Sequence, residues 1–182
     1  MPPSGVRLRT APTADLSPAE RTALRALLEG AFPAHFGDAD WSHALGGVHV
    51  LAAADNELVG HGSVVLRQLV AGDRTLRTGY VEAVATLSPW RGRGVGSAVM
   101  AEVERLVAGG FELGALSSSR EAVGFYAARG WQRWSGAVGA FTPHGVVDSP
   151  GEAVFVLPTP YTPAGLDTAT RLLCDWRPGD LW

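Results

Sequence analysis

Apolar and polar positions alternate at Val6-Arg7-Leu8-Arg9, which predicts a first strand. Ser17-Pro18-Ala19-Glu20 then spells a capping box with proline at the first helical position. Leu24, Leu27, Leu28 and Ala31 recur at helical spacing, and Pro33 ends the pattern. The acidic, aromatic run Ala34-His35-Phe36-Gly37-Asp38-Ala39-Asp40-Trp41 reads as a loop or short helix. Val48 to Ala54 and Leu58 to Leu66 are strands joined by the turn Asp55-Asn56, and Gly72-Asp73 turns into a long strand from Arg74 to Thr86. Three neighbouring strands with short connections predict an antiparallel meander.

Beyond it the period changes. Val95, Ala98, Val99, Val103 and Leu106 share one helical face, with Gly109-Gly110 as the stop. Phe111 to Leu116 is a short apolar strand. Ser117-Ser118-Ser119 is expected to cap a helix running to Ala128, with Gly130 past its end. Strand, helix, strand, helix predicts a parallel crossover unit. Trp131 to Phe141 and Ala153 to Leu157 are further strand candidates, and Thr142 to Gly151 reads as a Pro/Gly loop between them. The fold expected is α+β, a mixed sheet flanked by helices, in one domain spanning residues 1–182.

The chemistry concentrates between Val81 and Ser97. Glu82 lies inside an apolar strand, and Arg91-Gly92-Arg93-Gly94-Val95-Gly96-Ser97 is a glycine-rich turn opening a helix. Backbone N–H groups at a helix start are unpaired and carry the positive end of the macrodipole, which suits a phosphate. The pattern points to a nucleotide-type cofactor beside an acid. A dinucleotide fingerprint fails, because the third glycine follows the second by two residues instead of three and the preceding strand closes a meander. A P-loop needs a lysine, and all fifteen basic residues are arginine. The turn alone leaves open that it binds nothing.

Composition narrows the class. The net charge of −3 argues against a nucleic-acid surface and permits a cationic substrate. The single cysteine, Cys174, allows no intramolecular disulfide and fits a reducing cytoplasm. No apolar run reaches the roughly 18 residues of a membrane helix, and MPPSGVRLRT lacks a signal-peptide layout. His35, His43, His49, His61 and His144 show no metal-ligand spacing, so no metal is expected and packing or surface roles are favoured.

Arg91-x-x-Gly94-x-Gly96, after an apolar strand and before an amphipathic helix, resembles the acetyl-CoA pyrophosphate motif of the GNAT acetyltransferases, and the element order is similar to theirs. A closer resemblance is to the aminoglycoside 2′-N-acetyltransferases. It rests on Leu45-Gly46-Gly47-x-His49, Gly79-Tyr80-Val81-Glu82, Leu113-Gly114-Ala115-Leu116-Ser117-Ser118-Ser119, Tyr126-x-x-x-Gly130-Trp131 and the tail Cys174-Asp175-Trp176-Arg177-x-Gly179-Asp180-x-Trp182. The resemblance implies acetyl-CoA or coenzyme A held by Val84, Ala85 and Thr86 along its arm and by Arg91 to Ser97 at its pyrophosphate. It implies a homodimer, and a cationic aminoglycoside as acceptor.

Acetyl transfer to an ammonium group needs a base, a polarised thioester carbonyl and an acid for the departing thiol. The resemblance implies Glu82 as the base, acting through water; on residue type alone Glu82 also fits a structural carboxylate paired with an arginine. It implies Tyr126 as the acid, a position where helical spacing alone reads a core aromatic. A backbone N–H near Val84 would hold the thioester oxygen. Acceptor contacts are expected from His35, Asp40, Glu82, Ala83, Ser117, Glu152, Asp180 and Trp182, including the terminal carboxylate. His35 stands where similar proteins carry an Asp, and Glu152 stands for an Asp in a shortened loop. Two other readings stay open: a GNAT enzyme acting on another amine, such as a peptide N-terminus or small metabolite, and a non-catalytic binder of aminoglycoside or acetyl-CoA.

Overall fold

Ser17 closes its capping box as expected: its Oγ accepts from the Glu20 N–H at 3.2 Å, and its own N–H donates to Glu20 Oε2 at 2.9 Å. The structure, a computed structural model, describes residues 2–33 and 36–182. In chain order its elements are β1 (Val6–Pro12), α1 (Pro18–Ala31), α2 (Asp38–Ala44), β2 (Val48–Ala54), β3 (Glu57–Ala71), β4 (Arg74–Thr86), α3 (Val95–Gly110), β5 (Leu113–Ser117), α4 (Val123–Ala127), β6 (Gln132–Arg133), β7 (Val138–Thr142), β8 (Gly145–Asp148), β9 (Val154–Pro158) and β10 (Leu172–Cys174). The chain divides into two compact units, Met1–Val65 with Val81–Leu106, and Leu66–Tyr80 with Val107–Trp182.

In the first unit β1 pairs antiparallel with β2, and β2 with β3. The β2–β3 register slips by one residue at Ala52/Ala53. Leu24, Leu27 and Leu28, on one face of α1, are buried with Leu16, Leu51 and Ala85, and Phe32, Phe36, Trp41, Leu58 and Leu87 pack against them. Each fully buried leucine contributes about 2 kcal/mol of transfer free energy. Helix α3 lies so close on β3 that a Cβ at Gly60 would stand 2.8 Å from Val95 Cγ1, so only glycine fits there.

The second unit holds the strand order β6-β9-β5-β4-β3-β10-β7-β8. The expected parallel crossover is present: β4 and β5 pair at Thr78↔Leu113, Gly79↔Gly114 and Tyr80↔Ala115. Strand β10 lies between β3, to which it is antiparallel, and β7, to which it is parallel. The sheet is therefore mixed, as the sequence predicts. Tyr80, Leu69, Leu76, Leu113, Leu116, Trp131, Phe155 and Leu172 fill its core. No helix among the described residues is long and apolar enough to cross a membrane.

Four expectations need correction. Helix α3 runs through Gly109 and Gly110, ending on the Phe111 N–H to Val107 bond. Helix α4 covers only Val123–Ala127 with no side-chain cap, because the Ser117 hydroxyl is bonded to Glu152 instead. The strand read over Trp131 to Phe141 is broken into β6 and β7, since the tail crosses between them. Ser135 and Gly136 donate their N–H groups to Thr168 O, and a Cβ at Gly136 would meet Thr170 O at 2.0 Å. The Thr142–Gly151 loop contains β8, which forms a hairpin with β7.

Candidate active site

Glu82 sits on β4, partly exposed, and the backbone turns abnormally just after it. Ala83 has φ +52°, a left-handed conformation that costs a non-glycine residue about 1–2 kcal/mol. Such a kink lifts two consecutive carbonyls out of the ordinary ladder, and side chains of β3 meet both. Ser63 Oγ donates to Glu82 O at 3.3 Å, and His61 Nδ1 lies 2.8 Å from Ala83 O.

The histidine contact belongs to a longer chain of bonds. His61 Nε2 is 2.9 Å from His49 Nδ1, and His49 Nε2 is 2.7 Å from Thr13 Oγ1, which accepts from the Gly46 N–H at 2.9 Å. Both rings are fully buried. Burial pushes His49 down to about 4 and His61 down to about 3, so both are neutral at physiological pH. A carbonyl only accepts, so His61 carries its proton on Nδ1. His61 Nε2 then accepts from His49 Nδ1–H, and His49 Nε2 accepts from the Thr13 hydroxyl. Every proton in the chain is assigned by its terminus at Ala83.

Downstream of β4, Gly92 and Gly94 adopt φ +72° and +85°, which forms the tight turn before α3. Residues Arg91 to Gly94 are exposed, and open space surrounds a Cβ built at Gly92. The first-turn N–H groups of Val95, Gly96 and Ser97 have no acceptor inside the helix. Arg91 Nε donates to Thr86 O at 3.1 Å, and the Arg93 guanidinium lies 5.3 Å from the Trp90 ring centroid. Glu82 to Thr86 and Arg91 to Ser97 all lie in the first unit.

In the second unit Tyr126 is 7% exposed on α4, with its ring edge-on to Phe125 and Trp131. Burial pushes its phenol up to about 12, so it holds its proton throughout the neutral range. Ser117 Oγ donates to Glu152 Oε2 at 2.8 Å, and exposed Glu152 borders a recess of about 660 Å³ with Trp134, Ser135 and Asp148.

The tail is held by a residue that sequence reasoning missed. Arg67 is 4% exposed; its Nε donates to Asp175 Oδ1 at 2.8 Å, its Nη2 to Asp175 O at 3.0 Å and its Nη1 to Leu181 O at 2.8 Å. Its guanidinium lies 4.7 Å from the Tyr80 ring centroid. Cys174 Sγ adds a bond to Leu181 O at 3.3 Å, and burial pushes that thiol up, away from the reactive thiolate. Trp182 is buried with its indole Nε1 unpartnered. That N–H is sealed from solvent, and a buried donor without an acceptor costs stability. Exposed Asp180 accepts from Arg177 Nε through its backbone oxygen, at 2.7 Å, which leaves its carboxylate to solvent.

The other acceptor candidates fare differently. Asp40 Oδ2 accepts from the Gly37 N–H at 2.8 Å and caps α2. His35 lies outside the described residues. Among the described residues no cluster of His, Cys, Asp and Glu is disposed to hold a metal ion.

Residues 16–131 match the model of the acetyltransferase (GNAT) family. The chain is 46% identical over 174 residues to the aminoglycoside 2′-N-acetyltransferase of Mycolicibacterium fortuitum, covering 93% of this chain and 89% of that protein. Among solved structures, an acyl-CoA N-acyltransferase from Pseudomonas aeruginosa matches with a TM-score of 0.61 at 17% identity, over 83% of this chain and 98% of that one. A GNAT family acetyltransferase from Brucella melitensis in complex with acetyl-CoA matches with a TM-score of 0.55 at 17% identity, over 82% and 94%. At those identities the structural likenesses establish the fold.

Proposed function

The chain belongs to the acetyltransferase (GNAT) family, and from that premise we propose that it transfers the acetyl group of acetyl-CoA to the 2′-amino group of an aminoglycoside. The single observation that carries the acceptor is the 46% identity, over nearly the whole chain, to a protein of that activity.

The residues present suit the donor. The open turn at Gly92 and Gly94, the first-turn N–H groups of Val95 to Ser97 and the arginines Arg91 and Arg93 would hold its pyrophosphate. The backbone of Val84, Ala85 and Thr86 would align its arm as a sheet edge does. When bound, acetyl-CoA supplies an acetyl group activated as a thioester. The Val84 N–H donates to the thioester oxygen, where negative charge develops. Glu82 takes the proton that makes the 2′-ammonium a nucleophile. Tyr126, a phenol kept protonated by burial, gives its proton to the departing sulfur. Acceptor contacts come from the carboxylates of Asp40, Glu152 and Asp180, the Ser117 hydroxyl, the Ala83 backbone and Trp182. The use of acetyl-CoA supports a cytoplasmic location, and loss of the amine's charge on acetylation supports a role in resistance to the drug.

A thiol-release assay with acetyl-CoA and aminoglycosides with and without a 2′-amine tests this. Release confined to 2′-amino drugs, with the acetyl group located there by NMR, is the expected result. Release with peptides or small amines alone, or tight drug binding without release, overturns it.

A further inference from the structure

The buried histidine chain ends on the one peptide unit whose orientation the proposed chemistry depends on. A trans peptide is planar, with its carbonyl oxygen and its N–H pointing in opposite directions. The carbonyl of Ala83 and the N–H of Val84 belong to the same unit. His61 Nδ1, at 2.8 Å, holds the carbonyl end. The N–H end is thereby directed away from β3.

This unit needs holding. Its carbonyl follows a residue at φ +52°, which an alanine leaves readily for the extended region when nothing restrains it. Ser63, bonded to the preceding carbonyl at Glu82, restrains the other side of the kink. With its proton on Nδ1, His61 accepts at Nε2 from the His49 Nδ1–H, and His49 accepts at Nε2 from the Thr13 hydroxyl, so every ring nitrogen is paired. The alternative tautomer, with the proton on Nε2, would leave Ala83 O without its donor.

We infer that His61 is a positioning residue for acetyl transfer: it aims and polarises the Val84 N–H through the Ala83 carbonyl, while His49 and Thr13 pair the far side of its ring. The inference rests on the reading of Val84 N–H as donor to the thioester oxygen. Donation into a carbonyl also makes the N–H of the same unit a better donor, so the contact acts on strength as well as direction.

The full chain should be compared with His61→Leu, which removes the donor, and His61→Asn, whose side-chain amide can occupy the place of Nδ1–H. Two readouts are taken: steady-state kinetics with a 2′-amino aminoglycoside, and the infrared stretch of the carbon-13-labelled thioester carbonyl of bound acetyl-CoA, which needs no acceptor. The expected result for His61→Leu is a kcat about ten- to a hundredfold lower, less than the loss from deleting an oxyanion donor outright, with both KM values within about twofold. Its carbonyl stretch moves toward that of free acetyl-CoA. His61→Asn should recover kcat to within about threefold of the parent, and with it the stretch, even where both variants lower the melting temperature equally. A folded His61→Leu with parental kcat and stretch, or equal losses in the two variants, overturns the inference. A parent whose bound thioester shows no shift overturns it together with the role of Val84. A parent with the shift but no turnover on any aminoglycoside overturns the acceptor assignment, and the stretch in the two variants still decides the role of His61.

Discussion

Arg67 Nη1 lies 2.8 Å from Leu181 O, 114 residues further along the chain. One buried guanidinium thus satisfies two carbonyls and a carboxylate of the tail that ends in Asp180 and Trp182. Replacing Arg67 by Met strands those acceptors and leaves Asp175 without its cation. Asp175 is half-exposed and can be resolvated, so the expected stability loss is about 1–3 kcal/mol, from the buried carbonyls left without a donor. In the fraction that remains folded, KM for the aminoglycoside rises about tenfold or more while KM for acetyl-CoA holds, about 1.4 kcal/mol confined to one substrate. Chemical denaturation and two-substrate kinetics read both effects. An equal rise in both KM values would remove the tail from acceptor binding.

Tyr126→Phe keeps the packing against Phe125 and Trp131 and deletes the proton. A fall in kcat of about 10²–10⁴ with little change in KM is expected. The acid must be protonated to act, and burial raises its pKa to about 12, so its active form persists as pH rises. No alkaline limb from Tyr126 should then appear in kcat below about pH 10. A limb near pH 9 that vanishes in Tyr126→Phe would contradict the buried setting of the phenol.

Stability should fall on mild acidification. His49 and His61 ordinarily titrate near 6.5 and are held down to about 4 and about 3 in the fold. Between those values the unfolded chain binds protons that the native chain refuses. The stabilising difference is therefore complete above about pH 6.5 and is lost as pH drops through 4 toward 3. Each histidine so withheld contributes a slope of about 1.4 kcal/mol per pH unit. Urea midpoints measured from pH 7 to pH 4 check the slope, which should be shallower in His61→Asn.

Ala83→Gly removes the Cβ that makes φ +52° costly. The strain relieved exceeds the entropy that glycine adds to the unfolded chain, so stability should rise by about 0.5–1 kcal/mol. A lower denaturation midpoint would mean that Ala83 is not held in the left-handed region.

The long elements were legible because their signals are local. The capping box of Ser17 and Glu20, the helical spacing of Leu24 to Leu28 and the turn at Gly92 to Gly94 each carry their own geometry. What escaped depends on partners far away in sequence. Ser117 reads as a cap until Glu152, 35 residues on, takes its hydroxyl. Strand β10 is three residues long and has no alternation to detect. The histidine pair was hidden by one residue of slippage. An uninterrupted hairpin about Asp55-Asn56, continuing the Ala54↔Glu57 register, would put His49 and His61 on opposite faces. The irregularity at Ala52/Ala53 re-registers the strands to His49↔Ser63 and Leu51↔His61, which brings both rings to one face. Three polar residues at 49, 61 and 63, within the apolar runs 48–54 and 58–66, were the available signal. Of the site, Glu82 and the glycine turn could be found by motif, while Arg67 and the histidines needed the tertiary structure.

Strand β10 has a consequence for biosynthesis. Leu172 pairs with Ala71, so for about a hundred residues of translation the end of β3 has no partner on that edge. Arg67, four residues before Ala71, waits equally long for Asp175 and Leu181. A nascent chain in this condition exposes an open strand edge, with Arg67 yet to meet its acceptors. Chaperone dependence and inclusion-body formation during rapid expression are the expected outcome of that delay, checked by comparing soluble yield at normal and lowered temperature.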